Sequence, residues 1–487
     1  MRRLGGALAV FAAACGGNAS GPSDVSPLAV ELVQPPPRTV SAARDGALVL
    51  RFDRPLRRDS LLPDRTLHVF GRWSGTARGR VELSDGDRVA TFLPARPFSA
   101  GEQVMVLLGG GVAAADGTVL RPAGYSAQFW VSTRAGAPDL AEAQRLNTRP
   151  AGLPLAQAYG GVASDLDADG HLDLAIVNET AGDLSVFLNR GNGTFAEVGA
   201  RAPLGRRASP SEAADFDRDG RVDIAVANIN DGTVSILLGR GDGTFAAQVV
   251  AVGATPRGLA VLDVDGDADA DVATANYGAD DLAVLVNDGR GRFAVGFRAE
   301  SGARGEWGLG AADLDEDGIL DLAVGAQDGQ RIIAMRNHGD GRFSPLGGQA
   351  AGGGVWMLAT GDVDGDRHED VAAVNGRSNN GAVLRGDGRG GFAVPQVFAL
   401  DPFVLASDLG DLDGDGDLDW VTSSFSGDWR LFENVGGAFR VGREIAPRQA
   451  ASCALMFDAD GDGDLDLALI DELSDDVIVL HNRGATP

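Results

Sequence analysis

The stretch DLDEDGILDLAVGA, residues 313–326, decides the fold: an aspartate-rich turn runs without a break into a segment that is apolar at nearly every position. Alternate carboxylates with a glycine in sixth place make a tight acidic loop, and the continuous apolar run is the pattern of a strand buried on both faces. The unit recurs. D-x-D-x-D begins at Asp165, Asp215, Asp263, Asp313, Asp362, Asp411 and Asp458, in steps of 50, 48, 50, 49, 49 and 47 residues. A period of that length marks a propeller or solenoid.

Each unit reads as an apolar strand, the acidic loop, a second strand such as LDLAIVN, a turn, a third strand such as LSVFLN, and a Gly-rich turn ending in Phe195, Phe245, Phe293, Phe343, Phe392 or Phe439 before a fourth strand. Four strands per unit is the blade of a propeller. Ala175, Ala225, Ala273, Ala323, Ala372 and Ala468 recur at one place in the second strand, with Val421 in the sixth unit. A small residue there lets neighbouring sheets approach, which is packing and not chemistry. The last unit stops at VIVLHNRGATP without a fourth strand. An unpaired edge is a liability, so residues 139–148 are expected to complete that blade and close the ring.

The rest of the chain is organised around this array. Residues 28–134 alternate apolar and polar positions between Gly, Pro and Asp punctuation, as in a β-sandwich. The order LRFDRPL, ATFLPARPFSAGEQVMVLL, AQFWVST resembles the bacterial Ig-like domain, which implies a spacer. The expected fold is therefore all-β: an N-terminal Ig-like β-sandwich followed by a seven-bladed β-propeller over residues 139–487. With 487 residues, 70 glycines, 6% aromatics and no long 3.6-residue period, composition agrees. At the start, Arg2 and Arg3, the apolar run Leu4 to Ala14 and then Cys15 read as an export signal over 1–14. It is too short to span a bilayer. Cys15 resembles the lipidated cysteine of a lipobox, with Ala12 in place of the usual leucine, and 15–27 would be a flexible tether. This implies an exported chain, lipid-anchored at the outer membrane or cell surface. Cys453 is the other cysteine, so no intrachain disulfide is expected after processing, and it reads as a small core residue.

The formal charge of −27 excludes a phosphate-backbone partner, which needs clustered basic groups. Much of that charge lies in the loops. In the pattern D-x-D-x-D-G-x-x-D, positions 1, 3, 5 and 9 offer carboxylates and position 7 its carbonyl. The first loop offers Asp165, Asp167, Asp169 and Asp173 with His171 at position 7, and the second Asp215, Asp217, Asp219 and Asp223 with Arg221. The third has Asp263, Asp265, Asp267 and Asp271 with Asp269, and the fourth Asp313, Asp315, Asp317 and Asp321 with Ile319. Asp362, Asp364, Asp366 and Asp370 with His368 form the fifth. The sixth is Asp411, Asp413, Asp415 and Asp419 with Asp417, and the seventh Asp458, Asp460, Asp462 and Asp466 with Asp464. Hard oxygen donors in a flexible loop suit Ca²⁺, up to seven ions in a structural role; Mg²⁺ demands a stricter octahedron, and the pattern has no thiolate or imidazole ligand to suit zinc. Position 6 is Ala268 in the third loop and Arg367 in the fifth, where a positive φ is strained, so those two sites are expected to be weakest.

These units resemble the FG-GAP or VCBS repeats of the integrin α-subunit head and of secreted bacterial proteins, over about 340 residues. The resemblance implies calcium in hairpins on one face and ligands met on the other. Six residues before each first aspartate stand Tyr159, Ser209, Arg257, Trp307, Trp356, Leu405 and Ser452, which should ring one channel mouth. Of these, Tyr159, Arg257, Trp307 and Trp356 would grip a sugar or peptide, or plug the channel. Arg240-Gly241-Asp242 and Arg385-Gly386-Asp387 lie in the Gly-rich turns, whose geometry accounts for them. The expected function is a binding or adhesion scaffold for a protein or glycan. The alternatives are a polysaccharide-acting enzyme drawing on Glu212, Arg257, Glu306 or Asp408, and a passive subunit of an envelope complex. No nucleophile-base grouping stands out, so no catalytic residue is assigned.

Overall fold

A computed structural model describes residues 26–63 and 65–484. The export signal, Cys15 and most of the tether fall outside the described residues. Every described regular element is a β-strand, and none is a helix that could cross a membrane.

Residues Val30 to Trp130 form two four-stranded antiparallel sheets. Their facing sides share one core, in which Leu48, Leu50 and Phe52 from one sheet meet Val69, Val104, Val106 and Phe129 from the other. Seven further antiparallel sheets follow among the described residues, six of four strands and the first of five, where Ala202–Pro203 also pairs with Asp183–Asn189. They resemble propeller blades. Their innermost strands are Ala158–Ser164, Ala208–Ala214, Pro256–Leu262, Glu306–Ala312, Met357–Gly361, Val404–Gly410 and Ala451–Phe457, each neighbouring the next. The first packs against the last as well as the second, so the series returns on itself. The second strands, from Asp173–Asn178 to Asp466–Asp471, are buried along their whole length, and the recurrent alanines within them have no exposed surface.

The outer position of the final sheet is filled from far away in the chain. Leu140–Asn147 pairs antiparallel with Asp476–Asn482, Val477 standing opposite Leu146. Leu140 and Leu146 point inward and are buried among Ile478, Leu480, Trp429 and Leu431.

The sandwich does not stand off from the repeats as a spacer would. It lies across the ends of the channel-lining strands and touches every acidic loop. The Trp73 carbonyl accepts from Asp165 N–H at 2.9 Å, and Gly110 N–H donates to the Gly266 carbonyl at 2.8 Å. Thr76 Oγ1 donates to Asp215 Oδ2 at 2.6 Å, and Thr133 Oγ1 to the Asp411 carbonyl at 3.0 Å. Arg38 reaches Asp313 at 3.0 Å and Glu369 at 3.8 Å, and Arg134 reaches Asp462 and Asp464 at 2.6 and 2.7 Å. The physical reason is charge: arginines of the sandwich meet the face on which the repeats concentrate carboxylates.

Candidate functional site

The acidic loops are built alike. Carboxylate oxygens of positions 1, 3 and 9 converge within 4.8 Å of one another, as in Asp165, Asp167 and Asp173 or Asp313, Asp315 and Asp321. Position 5 also braces the turn with one of its two oxygens: Asp169 Oδ1 accepts from the His171 N–H at 2.8 Å, and Asp366 Oδ1 from His368 N–H at 2.8 Å, pinning the turn that presents the position-7 carbonyl. Position 9 is a clamp. Asp173 accepts from Leu166 N–H at 2.8 Å and Asn189 N–H at 2.8 Å, and Asp466 repeats this with Ala459 at 2.8 Å and Asn482 at 2.7 Å.

The expectation about strain needs correction. Position 6 is left-handed at Ala268 (φ 67°) and Arg367 (φ 71°), but position 4 is left-handed too, at Ala168 (φ 63°), Arg218 (φ 58°) and Glu316 (φ 60°). Each loop with a side chain at one of these places has glycine at the other, and only the sixth and seventh have glycine at both. Backbone strain therefore touches five loops and does not single out the third and fifth.

Burial pushes the position-9 carboxyls up, to about 7 for Asp173 and Asp370 and about 8 for Asp223, Asp321, Asp419 and Asp466. Neighbouring aspartates reinforce the rise and the clamping N–H groups oppose it. At position 1 burial lifts Asp165, Asp215, Asp313, Asp411 and Asp458 to about 6. Asp265, Asp315 and Asp458 each bury an Oδ1 that has no hydrogen-bond partner among the described residues. Buried carboxylates crowded together, with lone pairs unmet, are a donor set that fits a hard divalent cation.

Two features of the loops went unread in the sequence. His481, on the last third strand, joins Asp460 and Asp466, so the seventh loop has an imidazole within reach, unlike the pattern inferred from the motif. Second, an asparagine closes the third strand in five units. Asn337 Nδ2 donates to the carbonyls of Leu320 in its own loop and Asp263 in the preceding one, both at 3.1 Å, and Asn189, Asn287 and Asn434 make the equivalent pair. Gly239 and Gly386 stand there in the second and fifth units. Its regular recurrence was the available signal. Asn337→Ala orphans two buried carbonyls and should lower stability by about 1–3 kcal/mol in a denaturant melt; a change within error would mean that the stitch between units carries no weight.

The channel has two ends of different character. At the loop face Arg72 enters from the sandwich, 3.4 Å from Asp408 and close enough to Glu212 to oppose the upward push that burial gives that carboxyl. Beneath it lies a cavity of about 170 Å³ roofed by Phe70, Met105 and Trp130. Glu306 is not part of this group: it is held by Ser301 Oγ at 2.6 Å. At the far end all seven predicted residues, Tyr159, Ser209, Arg257, Trp307, Trp356, Leu405 and Ser452, line one cavity of about 110 Å³. Trp307 and Trp356 stack, centroids 5.1 Å apart and planes 4° off parallel, with Arg257 4.2 Å over Trp307 and Tyr277 edge-on at 5.0 Å. Trp356 rests on Gly376, where an added Cβ would lie 2.2 Å from the indole. The indoles thus form a rigid wall rather than free stacking platforms. The two RGD tripeptides sit in turns, Asp242 accepting from Thr244 N–H at 3.0 Å and Arg385 facing Asp364 at 3.1 Å.

Fold and loops define the class: an all-β repeat protein whose four-stranded, blade-like sheets each carry an aspartate-rich hairpin between their first two strands. The chain belongs to the FG-GAP-like repeat family, matched at residues 165–226, 215–274, 263–324, 313–373, 362–422 and 411–469. No curated relative matches it. Among solved structures it is similar to BBS1N in complex with ARL6DN (14% identity, 71% of this chain and 98% of that chain, TM-score 0.52). It is also similar to a streptogramin B lyase (12%, 70% and 98%, 0.49) and to an Agrocybe aegerita lectin that recognises non-reducing terminal N-acetylglucosamine (18%, 86% and 94%, 0.44). At these identities the likeness is one of fold.

Proposed function

We propose that this chain is a non-catalytic binding scaffold: a seven-bladed, calcium-loaded β-propeller with an Ig-like domain docked on its loop face, exported and lipid-anchored at the cell surface through Cys15. The observation that carries the reading is the gathering of seven residues from seven repeats around one cavity, at the end of the channel left free by the sandwich. Calcium is the cation of choice because every repeated donor is an oxygen, and in each loop positions 1, 3, 5 and 9 would hold it with the position-7 carbonyl. The ion would supply positive charge that holds the hairpins together, and no chemistry is routed through it. Against catalysis stands the pairing inside the channel: Asp408 is tied to Arg72, and Glu212 lies beside the same cation.

The test is a glycan array and an affinity capture on the processed ectodomain in calcium, with Trp356→Ala as the comparison. Removing the indole opens the wall beside Trp307, and a glycan or protein partner should be lost at least tenfold while the melting temperature moves by only a few degrees. Retention of every ligand in the variant would place binding elsewhere.

A further inference from the structure

We propose that Arg257 is the specificity-determining residue of the open cavity, and that its ligand is the carboxylate of an acidic sugar, a hexuronate. The inference rests on the binding reading of that cavity and names its ligand class.

In a chain of net charge −27 the arginines around the channel are tied to carboxylates: Arg72 to Asp408 at 3.4 Å and Arg207 to Glu179 at 2.8 Å. Arg257 is the exception. Among the described residues it makes no ion pair, and its Nε is buried without a hydrogen-bond partner. Of the nearby acids, Glu179 is held by Arg207, and Glu472 gives its Oε1 to Gln157 Nε2 at 2.6 Å while its Oε2 is buried without a partner. A half-buried guanidinium with no carboxylate in direct contact carries a desolvation cost that an incoming anion offsets. Burial pushes its pKa down, in keeping with that cost.

The cation is also pre-aimed. Its Cζ lies 4.2 Å over the Trp307 ring, which Trp356 and Tyr277 hold in place, so little side-chain freedom is lost when a ligand arrives. A planar guanidinium fixed in this way presents paired N–H donors to a carboxylate.

The remaining polar groups fit a sugar better than a peptide. The hydroxyl-bearing side chains of Tyr159, Ser209 and Ser211 line the same cavity, a set that matches ring hydroxyls. Arg72 lines the inner end of the cavity together with Glu212 and with Asp408, to which it is tied at 3.4 Å, so the acids there are matched by a cation of their own and Arg257 is left for the ligand.

The experiment uses the processed chain in millimolar calcium, with calorimetry and saturation-transfer NMR on free glucuronate, galacturonate, glucose, the methyl ester of glucuronate, and an acetylated dipeptide with a free C-terminus. Both uronates should bind, the ester and glucose should bind about tenfold or more weakly, and added salt should weaken the uronates alone. Arg257→Gln should erase the difference between acid and ester, while Arg257→Lys keeps part of it. The acid-ester comparison on the unaltered protein stands even if a variant misfolds. Equal binding of acid and ester would overturn the anion assignment yet leave a sugar-binding cavity. Binding of the dipeptide without the uronates would overturn the sugar. Silence from all five ligands would overturn the assignment of this cavity, and any partner then captured elsewhere by the same protein would leave the scaffold role standing.

Discussion

Stripping calcium from the protein should lower its melting temperature by about 10 °C or more and reverse the pH dependence of its stability. Extracellular calcium modules bind with Kd of order 10⁻⁴ to 10⁻³ M, so each filled loop at about 10 mM calcium adds roughly 1.4–2.7 kcal/mol. Several loops acting together make this the largest single contribution open to an experimenter. The pH sign follows from the aspartates. In the ion-free fold the position-9 carboxyls are raised to about 7–8 by burial, against an ordinary value near 3.8. The folded form therefore binds protons more tightly than the unfolded one. Ion-free stability is greatest in mild acid, falls once pH rises above the unfolded value, and reaches its floor above pH 8. With calcium bound the ion takes the place of those protons, and stability should hold or rise from pH 5 to 8. Melting curves in EDTA and in calcium at pH 5, 6.5 and 8 check this. Parallel curves would mean that the loops hold no cation that matters to the fold.

The second large effect concerns the strand that arrives from outside the repeats. Replacing Leu140 and Leu146 together by serine keeps the chain length but puts hydroxyls into the core shared with Ile478, Leu480 and Trp429. Each truncation should cost about 2–5 kcal/mol, and the two fall on one strand, so the last sheet should lose its outer member cooperatively. The expected readout is early hydrogen exchange over Asp476–Asn482, the paired strand, before exchange in the middle sheets. If the double variant melts within a degree or two of the parent, Leu140–Asn147 is an ornament and the ring is held by its other contacts.

The acidic loop is legible because it is local: nine residues, a strict order of donors and a turn that glycine permits. The same locality hid its subtler rule. Ala168, Arg218 and Glu316 look harmless in a row of letters, and only the backbone reveals that position 4 is as left-handed as position 6. Asn337 could have been noticed as a recurrence, but its carbonyl partner in another unit is 74 residues away in the chain. The mouth residues were found by counting back from each first aspartate, and all seven line one cavity. What that count could not supply is their state: Trp307 pressed between Arg257 and Trp356, and Arg257 left without a carboxylate.

The sequence by itself determined the repeat, its four strands and its donor set, because each arises from neighbours a few residues apart whose spacing repeats about every 49 residues. Tertiary structure alone decided which end of the channel is open. The docking of the sandwich on the loop face, the entry of Arg72 and the stacking at the far mouth join residues with no relation in sequence. Such contacts come from how twisted sheets add up around an axis and from where opposite charges then meet, and neither quantity is written in any one segment.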